Sequence, residues 1–342
     1  MDVSIASDSD QQLWDDIIFS SIEGTLFHTW KWLKIMEKHN RKKIFSRQYQ
    51  GILYPLIVRE KDEIIGLMPV FFYNTPFLKM ACSPSFSVEN LYLGPVVKKN
   101  DKNKTHSKQY LFLQFQKAID DFLKNTLKSN FISIHSSPGM SDPRPFIWSG
   151  YKVEPEFTYI IDLSPGEKIL WGNINKSTRN AINKLERKGV SVDNGSKEDI
   201  EIIYNLLFRR ERIYATKEFL LEIFQNFFPE NLNFLIARKD GYPLTGIITI
   251  FYKNKVSIWI GSPKITSTEV SPNYIVYWEG IRWACNNNFK YFEIIGASDY
   301  SLFTFKNKFN GVIIPYYTMK WYSPFNRFII SLYHGLYPRL PV

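Results

Sequence analysis

The sequence predicts an α/β chain of the α+β kind, folded as two tandem lobes of similar make. Three observations predict it. At 342 residues the chain is too long for one ordinary domain and suits two of about 150 to 170 residues. Helical and strand-like periodicities alternate along its length. One unit of helix, polar turn and strand also occurs twice. A helix ending at Lys128-Ser129-Asn130 runs into Phe131-Ile132-Ser133-Ile134, and one ending at Asn286-Asn287-Asn288 runs into Phe289-Lys290-Tyr291-Phe292.

In chain order, helices are expected over 11–22 and 29–39. Strands follow at 52–58 and 63–73, split by the charged turn Arg59-Glu60-Lys61-Asp62. A short strand over 90–97 ends at Gly94-Pro95. The basic loop 98–108 precedes an amphipathic helix over 109–127 and a strand over 131–135. Prolines, glycines and serines mark 136–150 as a loop. A strand over 157–163 then meets Ser164-Pro165-Gly166-Glu167, which reads as a capping box: Ser164 caps, Pro165 takes the first helical position and Glu167 reaches back. The lobe boundary is placed there, giving lobes 1–163 and 164–320 and an aromatic, basic tail, 321–342. In the second lobe, helices are expected over 167–188, 197–214 and 217–228. Strands are expected over 233–238, 244–252 and 256–261, with turns at Asp240-Gly241 and Lys253-Asn254. A helix from Ser271-Pro272 to about 287 and a strand over 291–295 complete it.

Hydrophobic content of 44% with 22% charged residues suits a globular chain with two cores. The net charge of +10 attracts anions in general, without selecting phosphate, nucleic acid or an anionic membrane. Cys82 and Cys285 lie far apart, so neither a disulfide framework nor a zinc knuckle is expected. The first twelve residues lack the layout of a signal peptide, and no apolar run reaches the roughly 18 residues of a membrane span. A cytoplasmic protein, at most peripheral to the inner membrane surface, is expected. His28, His39, His106, His135 and His334 form no metal-ligand pair, and Gly-x-Ser-x-Gly, a P-loop and Gly-x-Gly-x-x-Gly are all absent.

Several segments in fixed order resemble the Fem-type aminoacyltransferases of the GNAT superfamily and their acetyltransferase-like relatives. They are Phe27-His28-Thr29-Trp30-Lys31-Trp32-Leu33, Leu91-Tyr92-Leu93-Gly94-Pro95-Val96-Val97 and Tyr159-Ile160-Ile161-Asp162-Leu163-Ser164. Next come the basic helix Lys176 to Lys184 and Arg187-Lys188-Gly189-Val190. Pro272-Asn273-Tyr274, Trp278, Arg282-Trp283-Ala284, Gly296 and Leu302 to Phe309 follow. The resemblance spans roughly 13–320. It implies two GNAT-like lobes, each a mixed, mostly antiparallel sheet flanked by helices. Two departures accompany it: no heptad stretch supplies a helical-hairpin insertion, and the pyrophosphate loop of acetyl-CoA-dependent relatives is missing, since Gln48-Tyr49-Gln50-Gly51-Ile52-Leu53 enters a strand.

Lys306 is the expected catalytic group, because the family's matching lysine is thought to stabilise negative charge on a carbonyl under attack; the alternative is a surface lysine on a helix buried through Leu302, Phe305 and Phe309. The resemblance also implies substrate contacts for Trp32 and Lys34, for Lys176 and Arg179 on the basic helix, for Arg212 and Tyr214, and for Asn273. Trp259, at a strand, is expected as an aromatic platform. Core packing for the tryptophans and a solvated face for the basic helix are the alternatives. No tightly bound cofactor is expected; the donor is aminoacyl-tRNA or acyl-CoA. Partners are a small-molecule, lipid-linked or nucleotide-linked acceptor and tRNA, with membrane contact through the tail as the alternative to packing of the tail on the second lobe. Three functions follow: aminoacyl transfer from aminoacyl-tRNA to an amine of a cell-envelope precursor, acyl-CoA-dependent N-acetylation of an amino sugar, or a non-catalytic RNA- or envelope-binding module.

Overall fold

A computed structural model describes residues 1–44, 47–85, 91–98, 105–208, 215–261 and 269–326. The chain forms two compact units, one of Met1–Pro155 joined by the stretch that begins at Tyr316, the other Glu156–Pro315. The boundary expected at Ser164 thus falls inside the second unit. The reason is that a strand straddles the division: its first residues belong to unit 1, while Tyr159 to Asp162 pair with unit 2.

Unit 1 runs β1 (Asp2–Ile5), α1 (Gln11–Ser20), α2 (Trp30–His39), β2 (Arg41–Ile44), β3 (Arg47–Gln50), β4 (Ile52–Glu60), β5 (Glu63–Asn74), β6 (Lys79–Ser83), β7 (Val96–Val97), α3 (Thr105–Asp121), β8 (Phe131–His135) and α4 (Arg144–Trp148), and β9 (Lys152–Asp162) leaves it. The β4–β5 hairpin closes where the charged turn predicts, with Lys61 in the left-handed region at φ 55°. Its sheet order is β1-β4-β5-β6-β8, closed by residues of a returning strand, β15 below. Every pair but β6–β8 is antiparallel. Leu56, Met68, Phe115, Ile132, Phe146 and Met319 build the core, so one face of the sheet packs on α3 and α4.

Unit 2 runs α5 (Glu167–Asn173), α6 (Lys176–Arg187), β10 (Val190–Asn194), α7 (Asp199–Phe208), α8 (Lys217–Phe227), β11 (Leu232–Lys239), β12 (Tyr242–Tyr252), β13 (Lys255–Gly261), α9 (Asn273–Asn286), β14 (Tyr291–Ile294), α10 (Tyr300–Lys306) and the start of β15 (Val312–Tyr322). Its sheet order is β9-β14-β13-β12-β11-β10, again with one parallel pair, β13–β14. α6 and α9 bury Ile182, Leu185, Val276 and Ile281 against Ile247, Val256, Phe292 and Ile294.

The repeated helix–turn–strand unit is real in three dimensions. Lys128 and Asn288 both take the left-handed conformation that turns a helix into the next strand. The strands that follow, β8 and β14, are each the parallel partner in their unit. Three local expectations are corrected. The segment 167–188 is two helices, because Asn175 accepts from Ser177 N–H at 2.9 Å and caps a new start. Ser164 does not cap α5; its N–H and hydroxyl both bond the Asp162 carboxylate at 2.9 Å. Trp321 and Tyr322 are no separate tail: they pair with Ile132 and Phe131, and Lys124 sits over the Trp321 ring. Residues beyond 326 lie outside those described.

Candidate active site

The two strands of the parallel pair in unit 2 do not end together. Their register runs from Lys255↔Tyr291 to Ile258↔Ile294, where β14 stops. β13 continues to Gly261, held on its other side by Ile260↔Ile248 and Gly261↔Ile247. The chain after β14 turns at Gly296, whose φ of 77° lies in the left-handed region that favours glycine, and Ala297 N–H then bonds Phe157 O at 2.7 Å. Where paired strands separate, backbone groups on the facing edges lose their ladder partners and become available to other donors and acceptors.

Lys306 fills this place. Its Nζ donates to the carbonyls of Ile295, at 2.5 Å, and Gly296. The ammonium has three protons, so these two bonds leave one for a further acceptor. The side chain is only 6% exposed. Burial pushes the ammonium down to about 8, and the nearby Asp299 works in the opposite direction. Aromatic packing holds the helix end still. Phe305 lies 5.1 Å from Tyr274 and edge-on to Tyr277 at 5.0 Å, and Phe309 lies 5.7 Å from Tyr277. The burial pattern departs from the one expected for an amphipathic helix: Phe309 is buried and Phe305 packs on the core, but Leu302 is exposed and the lysine is inside.

Cationic and N–H groups gather nearby in the same unit. Lys308 Nζ donates to Tyr274 O–H at 2.7 Å, at the first turn of α9. Asn175 N–H donates to Lys308 O at 3.0 Å, which ties the first turn of α6, and with it the exposed Lys176, to the segment after Lys306. Helix N-termini carry partial positive charge and unpaired N–H groups, so this arrangement suits an anionic ligand. Asn273 opens α9 but is buried, with Thr245 Oγ1 donating to its Oδ1.

Other expected contacts are corrected. Arg179 does not face outward with the basic helix: its guanidinium donates to the carbonyls of Trp171 at 3.3 Å, Ile174 at 2.7 Å and Gly172, capping the C-terminal end of α5. Arg179→Ala is expected to lower stability by about 1 kcal/mol, measured by urea denaturation, and to leave donor affinity unchanged. Lys184 on the same helix and Lys188 just past its end both engage the exposed Glu269 carboxylate, which their hydrogen bonds and charges hold down at about 2. Trp32, expected as a substrate contact, is fully buried, 5.1 Å from Phe27, and Trp259, expected as a platform, is buried edge-on to Phe219 at 6.1 Å; both are core residues. Lys34, in unit 1, is half exposed and paired with Glu37 at 3.5 Å and Asp8 at 3.8 Å. Arg212 and Tyr214 lie outside the described residues.

Sequence reasoning missed Glu293. This carboxylate on β14 has no exposure, and accepts from Thr158 Oγ1 at 3.0 Å, Ser257 Oγ at 2.8 Å and Lys255 Nζ at 2.6 Å. The signal was a lone acidic residue within Tyr291-Phe292-Glu293-Ile294-Ile295, an otherwise apolar central strand. Among the described residues, His, Cys, Asp and Glu form no group of three or more able to hold a metal ion.

Residues 172–307, which include Lys306, match the family of the acetyltransferase (GNAT) domain. Among solved structures, the chain is similar to FemX, with a TM-score of 0.65 at 11% identity, covering 93% of this chain and 97% of that one. It is similar to a tandem GNAT protein from the clavulanic acid biosynthesis pathway, with a TM-score of 0.54 at 8% identity, covering 94% and 97%. It also resembles the C-terminal domain of a putative lysylphosphatidylglycerol synthetase from Agrobacterium fabrum, with a TM-score of 0.50 at 11% identity, covering 91% of each chain. Identities this low establish the fold. No curated protein sequence matches the chain.

Proposed function

We propose that this tandem GNAT acyltransferase forms an amide by transferring an aminoacyl group from aminoacyl-tRNA to an amine of a cell-envelope precursor. The observation that carries the reading is the buried Lys306 ammonium at the end of β14, two of its N–H groups committed to backbone carbonyls. The acceptor nitrogen attacks the donor carbonyl carbon, a C–N bond forms, and the carbonyl pair moves onto oxygen. The remaining N–H of Lys306 stabilises that oxygen in a site with little water, where such a donor is worth about 3–4 kcal/mol. Collapse restores the carbonyl and breaks the ester C–O bond. The proton released by the amine passes to the leaving ribose oxygen, as the Fem-type resemblance implies. Lys176, Lys308 and the first turns of α6 and α9 supply the positive surroundings that donor phosphates need. The acceptor amine is carried by a small, lipid-linked or nucleotide-linked molecule, met at the cytoplasmic side of the inner membrane.

The test is discharge of labelled aminoacyl-tRNA by purified protein once an acceptor amine is present. A second reading keeps the site and changes the donor to acyl-CoA, with an amino sugar as acceptor; the acetyltransferase family matched by 172–307 favours it. Calorimetric titration separates the two, since micromolar binding of acetyl-CoA supports the second and its absence the first.

Either donor predicts the same pH limb. The active form is the ammonium, so kcat/KM is expected to fall as pH rises through about 8. In Lys306→Arg this limb should disappear, because a guanidinium keeps its proton throughout the accessible range.

A further inference from the structure

The parallel pairs of the two units share one register: Cys82↔Ser133 in unit 1 stands where Ser257↔Glu293 stands in unit 2, and Ser83↔Ile134 where Ile258↔Ile294 stands. One residue beyond the last pair, each unit presents a backbone carbonyl, His135 O in the first and Ile295 O in the second. In unit 2 it accepts from the Lys306 ammonium. In unit 1 it accepts from the chain itself, Leu93 N–H, at 2.9 Å.

That contact belongs to a continuous insertion. Leu93 bridges Ser136 in parallel, Gly94 N–H donates to Ser83 Oγ at the end of β6 at 3.0 Å, and Val96 and Val97 pair with Leu67 and Gly66 of β5. β6 stops at Ser83 whereas its counterpart β13 runs three residues past the equivalent position, from Trp259 to Gly261; the segment 92–97 occupies the course that a longer β6 would take along β5. Tyr92, Leu93 and Val96 are buried, and Tyr92 packs edge-on against Phe27 at 5.7 Å and Tyr316 at 5.5 Å. Gly94 has φ 82°, and a Cβ there would lie 3.1 Å from His135 O, so the insertion requires glycine at that point. His135, whose carbonyl Leu93 meets, is partly buried, and its imidazole, pushed down to about 4 by desolvation, is neutral at physiological pH. This end of unit 1 therefore offers an apolar backbone plug where unit 2 offers a cation.

We infer that the strand split of unit 1 is permanently filled by residues 92–97 and takes no acyl donor, so that the chain works with a single donor slot, the one beside Lys306. The inference rests on the reading of unit 2 given above, but its test does not depend on activity. Amide hydrogen exchange is followed on the full chain, alone and with acetyl-CoA or aminoacyl-tRNA added. The Leu93 and Gly94 amides are expected to exchange as slowly as those of Ile132 and Ile134, at least ~10³-fold slower than in a free peptide, with neither donor altering them. Exchange within about tenfold of the free-peptide rate, or loss of protection when either donor is added, overturns the inference. Because these amides report on unit 1 alone, a failure here is distinguishable from a failure of the transfer assay.

Discussion

Lys306→Ala is expected to slow acyl transfer by about 10²–10³-fold, chiefly in kcat, with KM little changed. The split follows from when the charge appears. The carbonyl oxygen becomes strongly negative only in the transition state, so removing the ammonium costs little in substrate binding. Stability should move differently. The unfolded lysine titrates near 10.5 and the folded one near 8, so between those values the unfolded chain binds more protons. Burial of the charged form therefore weakens the fold below pH 8, by roughly 3 kcal/mol, and the penalty is relieved as pH rises from 8 to 10.5. Lys306→Met removes that penalty but leaves the Ile295 and Gly296 carbonyls without their donor, two terms of opposite sign. A variant that loses nearly all activity while its urea midpoint holds or rises marks a residue kept for chemistry.

Glu293→Ala should have the largest effect on stability, a loss of roughly 3–5 kcal/mol in urea denaturation. The carboxylate has no exposure and satisfies three donors at once, from β9, β13 and Lys255. Its removal takes the acceptor from the buried Ser257 hydroxyl and from one ammonium, and leaves Thr158 Oγ1 with the longer bond to Ile294 O at 3.3 Å. Lys255 is partly exposed and can recover water, whereas Thr158 and Ser257 are buried. Glu293→Gln keeps an acceptor for the hydroxyls and should lose less. Equal losses in both variants would mean that the charge pair, and not the hydroxyl network, carries the effect.

Most elements were legible because their periodicities are clean. The strand 131–135 and the helix beginning at 217 stand where the pattern puts them. What escaped were β1, the Arg- and Lys-rich hairpin β2–β3, β6, α4 and β10, short or polar pieces whose signals are too brief for periodicity to separate them from loop, and the 11-residue β15. The division into units escaped for another reason. β9 and β15 exchange places in sequence, and no local pattern tells a strand which sheet it will join.

The site was legible only through resemblance. Periodicity alone puts Lys306 on a solvated helix face, yet α10 turns it inward onto the carbonyls after β14. Arg179 illustrates the opposite case. It shares the basic composition of α6, but the unforeseen break at Ile174–Asn175 created a helix end, and the guanidinium serves that end. The buried Trp32 and Trp259 show how weak a signal a lone tryptophan is, since large rings are more useful to a core than to a surface.

The most direct test of the central claim is an NMR titration of the lysine side chains, with Lys306→Met identifying the resonance of Lys306. A buried ammonium at the parting of β13 and β14 predicts a midpoint near 8, and a shift of that resonance when a transfer-competent donor binds. A midpoint at the ordinary lysine value, with no response to a bound donor, would contradict it.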